Sequence, residues 1–149
     1  MYSRIVCAID GSELSTKALN HAFVLASRLG ATLIAVNVTD PSVVMSPGAE
    51  MMMVDTSNVI AELDKAKREG ARSVLADASA KASAAGINLE TLHVPDLPAA
   101  EGILKGARDT GADLIVMGSH GRRGLGRLLL GSQAAEVLAH AEVPVLIIK

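Results

Sequence analysis

Tryptophan is absent, and tyrosine and phenylalanine occur once each, as Tyr2 and Phe23. Two aromatic side chains give no platform on which successive bases could stack, so nucleic acid is not an expected partner. Cysteine also occurs once, as Cys7, which excludes an intrachain disulfide framework and any multi-cysteine metal site. Lying in the apolar run Ile5–Ile9, Cys7 reads as a small core residue and not a reactive thiol. Charge of one sign is lacking too. With 14 basic and 16 acidic residues the net charge is −2, which gives no general attraction to phosphate backbones or anionic membranes. No run approaches the roughly 18 apolar residues that a spanning helix needs, so no membrane insertion is expected. The first apolar run ends after five residues at Asp10 and follows no basic region; it reads as a strand, not a signal peptide. The expected compartment is the cytoplasm. The four histidines, His21, His93, His120 and His140, show no metal-ligand spacing with carboxylates, so no structural zinc site is expected.

Apolar residues are plentiful, at 50% of 149. That is enough for one domain, residues 1–149, with a core of its own. Short Val- and Ile-rich runs at Arg4–Ile9, Thr32–Val38, Asn88–Val94, Asp113–Met117 and Pro144–Ile148 predict strands. Helical spacing lies between them. Ala18, Ala22, Leu25 or Ala26, and Leu29 share one face, and Gly30 stands where a C-cap belongs. Gly30-Ala31-Thr32-Leu33-Ile34 is echoed by Gly111-Ala112-Asp113-Leu114-Ile115. A long helix is expected over Asn58–Ala85, loosened in the middle by Gly70, and a short one over Gln133–His140. Strands alternating with helices predict an α/β three-layer sandwich around a five-stranded parallel sheet. Ligands of such sheets bind beyond the carboxyl ends of strands, where strand order reverses. The segment Thr39–Ser57 is long for a connection and holds four of the six methionines, Met45, Met51, Met52 and Met53. It reads equally as an adaptable apolar flap or as a cover for the sheet edge.

The stretch after the fourth strand carries the chemistry. Gly118, Gly121, Gly124, Gly126 and Gly131 fall within fourteen residues, and Gly131-Ser132 opens a helix. Glycines there permit positive φ and let backbone N–H groups approach an anion. The helix start adds free donors and a positive dipole end, and Ser132 can cap it or donate to a phosphate. Arg122, Arg123 and Arg127 supply positive charge alongside. Physically this is a phosphate cradle. It is not a P-loop, since Gly-x4-Gly-Lys-Ser/Thr is absent. Nor is it a dinucleotide fingerprint, since only Asp10-Gly11-Ser12 follows the first strand.

The whole chain resembles the universal stress protein family, specifically its ATP-binding subgroup. The likeness rests on Asp10-Gly11-Ser12, on Leu114-Ile115-Val116-Met117-Gly118-Ser119-His120-Gly121, on Gly131-Ser132, and on the closing Val143-Pro144-Val145-Leu146-Ile147-Ile148. It implies an adenine nucleotide alpha hydrolase-like, Rossmann-like fold that binds ATP between the ends of the first and fourth strands. By this resemblance Gly118, Gly121, Gly131 and Ser132 hold ribose and phosphates, with the backbones of Arg122 and Gln133 nearby. Asp10 takes the acidic position, Val38 meets adenine through its backbone, and Ile9 and Met117 line the pocket. Mg²⁺ could accompany ATP near Asp10, with no metal held by protein alone. A homodimer through Val145, Leu146, Ile147 and Ile148 is expected both from the resemblance and from the exposed apolar edge such a strand leaves. An unidentified protein partner would read the nucleotide state.

Bland readings compete at several positions. Asp10, Ser12 and Ser15 precede a helix and suit capping, and His120 suits a plain loop residue. No catalytic constellation stands out, and Ser119-His120 lacks the nucleophile elbow. Binding is therefore the expected activity, with a regulatory or sensing role in stress response. The alternatives are a slow ATPase or autophosphorylating enzyme using the same site, and a nucleotide-free scaffold.

Overall fold

The computed structural model of the chain describes residues 1–43, 55–121 and 129–149. Five strands, β1 (Arg4–Ala8), β2 (Thr32–Thr39), β3 (Leu89–Pro95), β4 (Leu114–Gly118) and β5 (Val145–Ile148), form one sheet in the order β3-β2-β1-β4-β5. All neighbouring pairs are parallel. Among the described residues four helices connect them: α1 (Glu13–Leu29), α2 (Ser57–Ala84), α3 (Ala99–Thr110) and α4 (Ser132–His140). The expected α/β sandwich and its parallel sheet are therefore present, with element ends moved by a residue or so.

Alternation along the strands builds two cores. Ile5, Cys7, Leu33 and Ala35 face α1 and α2, whereas Val6, Ile34, Val36 and Ile115 face α3 and α4. That is the three-layer arrangement, and β4, covered on both sides, is buried along its whole length. Cys7 is fully buried, and burial pushes its thiol pKa up to about 12, so it packs as a small apolar residue.

Helix ends follow local chemistry. Ser12 caps α1 by accepting from the Ser15 N–H at 3.2 Å. Gly30 ends the helix in the left-handed conformation at φ 65°, where a side chain would be strained. Gly111 ends α3 in the same way, so the repeated Gly-Ala junction marks two equivalent helix stops.

Two helices depart from simple expectation. α2 runs unbroken through Gly70, but its buried residues are Ala71, Leu75, Ala78 and Ala82, all in the second half. The first half overhangs the carboxyl end of the sheet, where the Lys67 ammonium donates to the carbonyls of Asp40 (2.7 Å) and Pro41 (3.1 Å). α3 lies unusually close to β2: a Cβ at Gly102 would stand 2.4 Å from Val38 Cγ1. Among the described residues no helix is long and apolar enough to cross a membrane.

Candidate functional site

From β1 the sheet grows one way through β2 and β3 and the other way through β4 and β5. The chain therefore leaves the carboxyl ends of β1 and β4 in opposite directions, which opens a crevice between them.

On the β1 side, Ile9 N–H, just past the strand, still bonds to the Val36 carbonyl at 2.9 Å. Asp10 Oδ1 then accepts from the Ser12 N–H at 2.8 Å, closing a turn over Gly11, whose φ is 80°. Ser15 Oγ accepts from the Asp10 N–H at 3.3 Å and donates to the Ser12 carbonyl at 3.1 Å. Of the three residues that suit capping, Ser12 alone is the N-cap; Asp10 closes the preceding turn and Ser15 lies in the first turn of α1. Across the crevice, Asp10 Oδ2 lies 2.7 Å from where a Cβ on Gly121 would stand.

On the β4 side, the Ser119 N–H bonds to the Ile148 carbonyl, and the Gly131 N–H bonds to the Ser119 carbonyl, each at 2.8 Å. The second bond ties the start of α4 to the end of β4. Ser119 is buried, and its hydroxyl lies 3.1 Å from His120 Nδ1.

The geometry changes the reason for the glycines. None of Gly118, Gly121 and Gly131 has a left-handed φ. Each is instead needed for close approach: a Cβ would stand 3.1 Å from Leu14 Cβ at Gly118 and 2.9 Å from the Ser119 carbonyl oxygen at Gly131. Ser132 also shifts in role. The N-cap of α4 is Gly131, with Ser132 as the first helical residue, so the serine does not cap the helix. Arg122 lies outside the described residues, as do Arg123, Arg127 and the four methionines of the Thr39–Ser57 segment.

The remaining predicted residues separate by face. Ile9 packs in the core under α1 and α2, and Met117 in the core under α3 and α4. The two side chains thus lie on opposite faces of the sheet instead of side by side. Val38, at the end of β2, turns its side chain onto Gly102 of α3. Gln133, in the first turn of α4, accepts from the Ala100 N–H through Oε1 at 2.9 Å.

One residue escaped sequence reading. Asn37 is only 5% exposed, and its Nδ2 donates to the Ile9 carbonyl at 2.8 Å, satisfying the carbonyl just beyond β1 before the turn. A lone amide at the end of an apolar strand was the available signal. Farther along the same edge, Thr39 Oγ1 lies 2.8 Å from His93 Nε2. Burial, with Arg68 adding to it and Asp96 opposing, holds the His93 pKa below the ordinary value.

The universal stress protein family model matches residues 1–149. Universal stress protein YxiE of Bacillus subtilis is 35% identical over 150 residues, covering all of both chains. The fold superposes on universal stress protein UspA of Lactobacillus plantarum with a TM-score of 0.82 at 26% identity, covering 99% of this chain and 98% of that one. A universal stress protein solved in complex with cAMP superposes with a TM-score of 0.72 at 27% identity, covering 99% and 97%. With a family model spanning its full length and a relative aligned end to end, the chain belongs to the universal stress protein family.

Proposed function

We propose that this protein binds an adenine nucleotide, ATP foremost, in the crevice beyond β1 and β4, and that occupancy regulates a stress response through conformation and a protein partner. The observation that carries the reading is the start of α4. Its N-cap is a glycine, which has no side chain to satisfy the first-turn N–H groups, and among the described residues no side chain caps it. Those donors and the positive end of the helix dipole favour a phosphate. Gly118, Gly121, Gly131 and Ser132 border ribose and phosphates in this reading, with the backbones of Arg122 and Gln133 alongside and the Val38 backbone at adenine. Ile9 and Met117 form the floor from the two faces of the sheet. The cAMP complex of a related protein supports an adenine nucleotide as the ligand class.

Asp10 suits Mg²⁺ accompanying the phosphates. It stands just past the end of β1 beside the crevice, and Mg²⁺ is commonly held by a single carboxylate together with substrate phosphates. The protein is read as a cytoplasmic homodimer, in which β5, an edge strand with Val145, Leu146 and Ile147 half-buried and Ile148 buried, pairs with its copy. A scaffold without nucleotide is the second reading, favoured by the contacts that Gly118 and Gly131 make with their own chain.

Isothermal titration of nucleotide-stripped protein with ATP and Mg²⁺ separates the two. Binding near one ATP per chain supports the first. Absence of heat, together with absence of nucleotide carried through purification, leaves the scaffold.

A further inference from the structure

We propose that Gln133 is a positioning residue whose side chain holds the phosphate-binding turn of α4 in place by capping α3. The proposal rests on the ATP-binding reading. α3 begins after Pro98, which has no side-chain acceptor, and no side chain of its own caps it. Its Ala100 is fully buried, so that N–H is poorly placed to bond water. The acceptor comes from the neighbouring helix, as Gln133 Oε1 at 2.9 Å.

Gln133 itself is exposed and contributes nothing to the core; α4 is anchored there by Ala134 and Val137, at 1% and 0% exposure. Removing the amide therefore leaves the helix folded and packed but frees its first turn. That turn carries the donors at which phosphates are proposed to bind. The same first turn of α3 presses Gly102 onto Val38, beside the proposed adenine contact, so α3 reaches both ends of the crevice.

The test compares the unsubstituted protein with Gln133→Ala and Gln133→Glu, each titrated with ATP and with adenosine. Hydrogen exchange at the Ala100 amide and thermal melting are followed in parallel. In Gln133→Ala, ATP binding is expected to weaken about fivefold, the size of one lost hydrogen bond, with adenosine affinity unchanged and Ala100 exchange accelerated. Gln133→Glu keeps the acceptor and is expected to keep Ala100 protected.

ATP affinity unchanged in Gln133→Ala overturns the positioning role and leaves the ATP site standing. So does equal weakening of ATP and adenosine, which marks a merely structural effect. Failure of the unsubstituted protein to bind ATP overturns the ATP reading itself, and this proposal with it.

Discussion

At the amino end of the sheet the Asp113 carboxylate accepts from the N–H and the hydroxyl of Ser3, each at 2.8 Å, and from the Arg4 N–H at 3.0 Å. The Arg4 guanidinium adds a bond to the Thr110 carbonyl at 2.7 Å. β1 and β4 therefore start tied together. At the carboxyl end the same two strands part, and their last backbone groups are satisfied singly, by Asn37 on one side and by Ile148 and Gly131 on the other. The amino end nonetheless holds a cleft of about 260 Å³, lined by Leu104, Arg108, Ile115, His140, Glu142 and Val143 among others. That cleft lies away from the crevice at the carboxyl ends of β1 and β4. In a parallel sheet the direction of the crossovers decides where helix starts point, and helix starts carry the spare donors.

The largest effect that would sharpen this contrast belongs to Gly121→Val. Its Cβ would stand 2.7 Å from Asp10 Oδ2, closing the crevice at its centre. ATP binding should be lost in titration while the fold persists in circular dichroism; retained affinity would break the assignment of the carboxyl end.

A smaller effect, at the other end, is expected for Asp113→Asn. Hydrogen bonds from Ser3, joined by the bond from Arg4, hold the Asp113 pKa below its usual 3.8. A depressed folded-state pKa means that the ionised carboxylate stabilises the fold above the ordinary carboxylate range, and that this contribution fades as pH falls through the lower folded value. The substitution should lower the melting temperature at neutral pH and flatten its decline in acid. ATP affinity should stay the same, and an equal loss of affinity would show that the two ends are not independent.

The smallest effect is expected for Arg108→Ala in the amino-end cleft. ATP affinity measured by titration should remain within about twofold, as for a site that shares no partner with the crevice. A larger loss would mean that the amino-end cleft participates after all.

Much of this was legible in residue order. Helix stops at Gly30 and Gly111, the strand runs, and the Gly118–Ser132 stretch all depend on neighbours close in sequence. For the glycines, the sequence suggested backbone freedom, and the structure shows close contacts instead. Backbone freedom is a local property that sequence can suggest, whereas the contacts of Gly118 with Leu14 and of Gly121 with Asp10 join segments about a hundred residues apart. Ser132 illustrates a shift of one residue: capping depends on the φ and ψ at which the chain enters the helix, and Gly131 supplies them.

By itself the sequence determined the α/β alternation, the parallel sheet and the stretch that carries the donors, because hydrophobic period and turn chemistry act over a few residues. Only the tertiary structure decided that Ile9 and Met117 face opposite cores, that Asn37 satisfies the end of β1, and that Gln133 serves α3 instead of its own helix. Each of those outcomes depends on a donor or a packing surface brought from another element, and the chain must fold before they meet.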